Sequence, residues 1–225
     1  MDIEQFKKEY LMKEMGIDST YGKMLSMVDF GNVNYWFEED RQDADNQVLL
    51  EGEKLEINLE GLKEFSSMLS EDTRFYYGHD QLNTTFIQRA RYVFGKHRVI
   101  TKQIQKVRHY LSDVEKTTNT RTMFADTQGK YVLIPKCNFD VEITVDSIRL
   151  LDKYDTLVLF TGDADFISLI RYLKKRGKKV ILVKGGNITS DLRKEVSKVI
   201  NAQNIKRNIS RRKQKPGTRP GLANR

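Results

Sequence analysis

The stretch from Lys23 to Asp29 is an apolar run that ends abruptly in Asp29, Gly31 and Asn32, as a buried strand does at the edge of a sheet. It reads as the first core strand. Leu59, Leu62, Phe65 and Leu69 recur at three- and four-residue spacing and predict a helix over residues 58–70 with one apolar face. Arg74 to Gly78 reads as the second strand and Thr84 to Phe94 as the second crossover helix. Val141, Val145 and Ile148 share a stripe and predict a helix over residues 139–152. Leu157 to Phe160 is a continuous apolar strand, Phe166 to Arg176 an amphipathic helix stopped at Gly177, and Lys179 to Val183 another apolar strand. Leu192, Val196 and Val199 predict a final helix from about Ser190 to Ile200. Strands and helices in alternation imply an α/β fold with a mainly parallel sheet and right-handed crossovers.

The remaining segments are less regular. Residues 4–16 suit a short amphipathic helix through Phe6, Tyr10 and Leu11, so residues 1–22 read as an N-terminal helical extension of a principal domain over 23–200. Residues 38–60 form an acidic insertion interrupted by Gly52, with short strands at Val48–Leu50 and Leu55–Ile57; it serves as a lid, an oligomer contact or decoration. Residues 97–111 fit a partly exposed strand, and Gln128-Gly129 is a turn between the β-prone runs Thr120–Phe124 and Tyr131–Ile134. Beyond Ile200 the periodicity stops, and Pro216, Gly217, Pro220 and Gly221 point to a flexible tail over 201–225.

Composition narrows the chemistry. No stretch approaches the roughly 20 apolar residues of a spanning helix, and the opening MDIEQFKKEY is too polar for a secretory signal, so a cytoplasmic protein without membrane contact is expected. Cys137 stands alone and His79, His97 and His109 lack the spacing of a zinc helix. Metal chemistry, if present, falls to carboxylates. The net charge of +8 is local: eight of the 39 Lys and Arg lie in residues 201–225 without an acid, leaving 31 charges of each sign before them.

In an open parallel sheet the ligand site lies outside the carboxyl ends of the strands. Asp29 ends the first strand, and Asp163 and Asp165 follow the strand that ends at Phe160, so the three converge if these strands are neighbours. Asp140 opens the helix leading towards the same edge, whereas Asp146 is turned from it by about 240° on an ideal helix. Four carboxylates within about 5 Å would repel by roughly 3 kcal/mol per pair, which favours either protons or a cation such as Mg²⁺. The same residues also suit plainer roles: Asp29 and Asn32 shaping a turn, and Asp163 and Asp165 capping a helix. No Gly-rich phosphate cradle with Lys follows any strand.

Val28-Asp29-Phe30-Gly31-Asn32, Phe139-Asp140-Val141 followed by Asp146, and Thr161-Gly162-Asp163-Ala164-Asp165-Phe166 with Gly177 resemble the NYN domain family, in its LabA-like branch of the PIN-like nuclease superfamily. The resemblance covers roughly residues 24–200. It implies a Rossmann-like, PIN-like three-layer sandwich and cleavage of RNA with Mg²⁺ or Mn²⁺. Asp29, Asp140, Asp163 and Asp165 would be catalytic metal-binding acids, with Asp146 as a further metal candidate. Asn32 would support the site or meet substrate, and Thr161 would hydrogen-bond near metal or phosphate. Where the family has Lys three residues before the acid matching Asp140, this chain has Cys137, with Lys136 one position earlier as the substrate-binding candidate.

The cations of the tail, among them Arg211, Arg212, Lys213 and Lys215, suit phosphate neutralisation and join the substrate-binding candidates; a solubilising end is the alternative. Tyr35, Trp36 and Phe37 lie just past Asn32 and either stack a base or belong to the core. The expected function is a metal-dependent endoribonuclease acting on single-stranded or structured RNA, with homo-oligomers allowed. An RNA-binding regulator without turnover and a structure-specific DNA nuclease or phosphatase are the alternatives.

Overall fold

The computed structural model describes residues 3–80, 84–111 and 123–214. In chain order, α1 (Ile3–Glu14) precedes β1 (Met24–Asp29), the short α2 (Phe30–Val33), β2 (Glu53–Ile57) and α3 (Leu59–Leu69). β3 (Asp72–His79), α4 (Thr84–Phe94), β4 (Val99–Gln103) and β5 (Gln105–Tyr110) follow. After β6 (Met123–Asp126) and β7 (Gly129–Lys136) come α5 (Asp140–Arg149), β8 (Thr156–Phe160), α6 (Ile167–Lys175) and β9 (Lys179–Lys184). The chain then forms α7 (Ser190–Glu195), β10 (Lys198–Asn201), α8 (Lys206–Ile209) and β11 (Ser210–Gln214). Among the described residues no helix is long and apolar enough to cross a membrane.

Six strands pair in parallel in the order β10-β9-β8-β1-β3-β4. Alternation along each strand feeds two cores. Met24 and Val28 of β1 join Phe75, Phe160 and Val183 under α3 and α4, while Leu25 and Met27 join Tyr76, Leu159 and Leu182 under α5, α6 and α7. The result is the expected three-layer α/β sandwich, with an all-parallel central sheet. From β1 the chain steps outward to β3 and β4, then returns to β8 on the other side of β1. The order thus reverses between β1 and β8, and a crevice opens beyond their carboxyl ends.

Local chemistry explains the element ends. The Asn58 side chain caps α3 by accepting from the N–H groups of Glu60 (3.2 Å) and Gly61 (3.4 Å), and Thr189 caps α7 through Leu192 N–H at 3.3 Å. Gly61 admits α8 against α3: a Cβ there would stand 2.1 Å from the Asn208 carbonyl oxygen, a backbone atom that cannot swing aside. Gly61→Ala is therefore expected to lower stability by about 1–3 kcal/mol, the cost of an overpacked contact, measurable by urea unfolding. An unchanged midpoint would show that α8 can move off.

Several expectations are corrected. The helix drawn to Ile200 stops at Glu195, and the β-branched stretch Lys198–Asn201 becomes the edge strand β10. On α5 the stripe of Val141, Val145 and Ile148 is exposed, and Ile143 and Ser147 face the sheet instead. Small Ser147 permits that approach: its Oγ donates to Ile143 O at 2.7 Å and lies 3.2 Å from Met27 Sδ. The acidic insertion yields one strand, β2; Val48 makes only an isolated bridge to Gln42. Residues 97–111 hold two strands, β4 in the central sheet and β5 in a three-stranded antiparallel sheet ordered β5-β7-β6.

Residues 201–214 are structured rather than featureless. β11 pairs antiparallel with β2, and the basic segment neutralises the acidic one. Lys206 meets Asp40 at 2.7 Å, Arg207 meets Asp45, and Arg211 meets Glu56 at 2.5 Å. Arg212 reaches Asp43 at 2.6 Å and Glu53 at 3.3 Å, and Lys213 reaches Glu56 at 2.6 Å. Five of the eight C-terminal cations are thus engaged within the fold, and Lys215, Arg219 and Arg225 lie outside the described residues.

Candidate metal centre

The crevice beside β1 and β8 gathers acids from three segments. β1 delivers Asp29 at its last residue, the turn after β8 delivers Asp163 and Asp165, and the start of α5 delivers Asp140. Oxygen atoms of Asp140, Asp163 and Asp165 all lie within 4.8 Å of one another. Asp140 and Asp163 are part-buried and Asp165 is exposed, so the cluster opens to solvent on one side.

Neighbouring polar groups aim these carboxylates. Thr161, fully buried, donates its hydroxyl to Asp29 Oδ2 at 3.3 Å and accepts Asp163 N–H at 3.3 Å. Asp163 Oδ1 accepts Asp165 N–H at 2.9 Å and caps the 3₁₀ turn Ala164–Phe166. Asn32 ties the two loops together, its Oδ1 accepting Gly162 N–H and Trp36 Nε1–H, each at 3.1 Å. The capping and turn-shaping roles open to these residues are thus present, and they leave carboxylate oxygens facing the crevice.

The electrostatics mark the centre as strained without a counter-charge. Burial pushes the Asp29 carboxyl up to about 6, and the Asp140 and Asp163 charges push the same way against hydrogen bonds from the Asn32 backbone N–H and the Thr161 hydroxyl. Burial also raises Asp140, with Asp163 and Asp165 adding to it, while Asn138 and the Lys102 charge oppose. The donors available are hard oxygens, which are compatible with a hard divalent cation. Cys137 is the wrong kind of ligand for such an ion, and burial raises its thiol.

The other candidates sit elsewhere. Asp146 is about 1.7 turns beyond Asp140 on α5, where it accepts from Arg74 Nη1 at 2.9 Å and Tyr76 hydroxyl at 2.8 Å. Arg211, Arg212 and Lys213 lie on β11 in their pairs with Glu56, Asp43 and Glu53. Lys136 closes β7, its side chain outside the described set, as is Lys215.

Two residues beside Asp140 were not placed at this centre by the reading of the sequence. Asn138 holds Asp140 twice, donating Nδ2–H to Oδ2 at 2.5 Å and accepting the Asp140 N–H at 2.7 Å. An Asn two places before an Asp at a helix start is a capping signal that could have shown it. Lys102 binds both oxygens of Glu142 at 2.9 Å and lies 4.7 Å from the Phe139 ring centre, bringing a cation close to Asp140. Its distance along the chain hides it from local pattern.

A family model described as the NYN domain matches residues 43–205. The chain belongs to the NYN domain family. Asp140, Asp163 and Asp165 fall inside the matched span of this NYN domain, and Asp29 lies before it. Low amplitude and bright protein LabA of Synechococcus elongatus is 30% identical over 84 residues, which are 37% of this chain and 45% of that protein. An uncharacterised protein of Methanocaldococcus jannaschii is 43% identical over 58 residues, 25% of this chain and 24% of its own length. The chain thus spans less than half the length of these curated relatives. The crystal structure of a protein of unknown function from Vibrio parahaemolyticus aligns over 82% of this chain and 96% of that one. Its TM-score is 0.51 at 17% identity, a likeness of fold.

Proposed function

We propose that this NYN domain is a metal-dependent endoribonuclease that hydrolyses RNA phosphodiester bonds. The observation that carries the reading is the convergence of Asp140, Asp163 and Asp165 within 4.8 Å at the switch point of the sheet, with Asp29 part-buried beside them. Asp140, Asp163 and Asp165 would hold Mg²⁺ or Mn²⁺, and Asp29 would complete the negative field. When bound, such an ion supplies Lewis-acid polarisation of a phosphate oxygen and a more acidic water.

The chain's own groups set the geometry. Asn138 fixes the rotamer of Asp140, and Thr161 fixes Asp29 and the Asp163 backbone together. Asn32, with its oxygen already shared by two donors, acts here as a bracket between loops. Lys102, held on Glu142, brings a cation near Asp140 that offsets part of the negative charge there.

The test is incubation of the purified chain with single-stranded RNA, structured RNA and DNA in Mn²⁺, Mg²⁺ or EDTA. RNA cleavage in either metal and none in EDTA is the expected outcome. Tight RNA binding without cleavage in any metal would instead favour a regulatory RNA-binding protein, and preferential cutting of DNA a DNA nuclease. Cleavage that survives both EDTA and Asp163→Asn would come from a contaminant and remove the support for enzymatic activity.

A further inference from the structure

We propose that the cavity adjoining the aspartates receives one unstacked base of a single-stranded RNA, so that the neighbouring phosphate comes to the acids. This rests on the ribonuclease reading above. The cavity has a volume of about 260 Å³, and its lining includes Phe30, Gly31, Tyr35, Gly78, Cys137 and Phe139. Its walls therefore come from α2, the end of β3 and the link from β7 to α5. Two of these also carry acids, since Asp29 immediately precedes α2 and Asp140 immediately follows Phe139. Gly31 is where cavity and centre meet: a Cβ there would lie 3.4 Å from Asp29 Oδ1.

The lining suits a flat aromatic occupant. Phe30 and Phe139 are 2% and 3% exposed and form fixed apolar walls. Tyr35 is 61% exposed, although Trp36 and Phe37 beside it are buried in the core. Of the three aromatics after Asn32, Tyr35 alone is thus presented to solvent at the cavity. An exposed ring over an apolar recess is the arrangement on which bases stack. Gly78 lets Cys137 close the opposite wall, because a Cβ at Gly78 would stand 2.5 Å from Cys137 Sγ. A base paired in a duplex cannot enter such a recess without leaving its stack, which selects single strands.

Charge argues for a nucleic acid rather than another aromatic ligand. Ile104 and Cys137, both in the cavity wall, lead into the first pair of the small sheet, Gln105 opposite Lys136. The face carrying Lys106, Arg108 and Tyr110 on β5 also carries Tyr131 on β7 and Phe124 on β6, by cross-strand register. Lys106 and Arg108 are exposed, and Arg108 lies 5.0 Å from the Tyr131 ring centre while pairing with Asp126 at 3.0 Å. A strand leaving the cavity would run onto a surface of cations and rings.

The experiment is a thermodynamic cycle on the full chain, with Ca²⁺ replacing Mg²⁺ to suppress cleavage. Wild type, Tyr35→Ala and Tyr35→Phe are titrated with a short labelled oligouridylate and with the same backbone bearing abasic residues. Tyr35→Ala is expected to weaken binding of the intact oligomer by about 5-fold or more and that of the abasic one hardly at all, with Tyr35→Phe close to wild type. In parallel, Cys137, the only thiol in the chain, should be alkylated several-fold more slowly when the intact oligomer is bound. Bound RNA with equal affinity for wild type and Tyr35→Ala, and with Cys137 unprotected, would overturn this proposal and leave the ribonuclease reading standing. Failure of all three proteins to bind RNA would overturn both.

Discussion

Asp163→Asn is expected to reduce RNA cleavage by at least about 100-fold while melting no lower than wild type in EDTA. The activity loss follows from removing one of the three clustered carboxylates, whose combined charge is what would retain a divalent ion. The stability expectation follows from the local bonding. Asn retains the side-chain oxygen that accepts Asp165 N–H at 2.9 Å, so the cap of the Ala164–Phe166 turn survives. It also removes a negative charge that raises both Asp29 and Asp140, which relieves the metal-free state. Functional sites commonly hold such a conflict between activity and stability. Single-turnover cleavage and thermal melts in EDTA read the two effects separately. Full activity would remove Asp163 from the centre, and a large fall in melting temperature would make its role architectural.

What the sequence made legible was whatever depends on local pattern. The apolar runs ending at Asp29 and Phe160 announce strands whose next residues must leave the sheet, and parallel pairing of β1 with β8 brings those ends together. Asp29, Asp163 and Asp165 could therefore be placed by reasoning about strand ends alone. The face of α5 could not, since Val141, Val145 and Ile148 look like a buried stripe until Ser147 is seen to pack beside Met27. A small polar residue that permits close approach leaves no hydrophobic signal. β11 was equally hidden: Ser210-Arg211-Arg212-Lys213-Gln214 has no apolar alternation, and its pairing with β2 is accompanied by ion pairs from Arg211 and Arg212 to Glu56, Glu53 and Asp43. Counted by segment, the chain looks like a neutral body with a basic tail; in space, the acids of the insertion and most of those cations cancel.

Asp29 should make metal-free stability depend on pH in the direction opposite to a salt-bridged carboxylate. Its carboxyl stands at about 6 in the folded chain against an ordinary 3.8. Between those values the folded state keeps a proton that the unfolded state has lost, so stability falls as pH rises from about 4 to about 6 and levels off above. The full effect approaches about 3 kcal/mol, and Asp29→Asn isolates it from other titrating groups. In EDTA the variant is expected to gain on wild type by about that amount between pH 4 and pH 7 in urea unfolding. A divalent ion at Asp140, Asp163 and Asp165 opposes the charges that help to raise Asp29 and draws its proton off. Mn²⁺ should accordingly bind more tightly, and stabilise wild type more, at pH 7 than at pH 5. A wild-type minus Asp29→Asn difference that does not change with pH would show that Asp29 is already ionised without metal. Equal stabilisation by Mn²⁺ at both pH values would place the ion beyond the reach of Asp29, and the centre would then be the three-aspartate cluster alone.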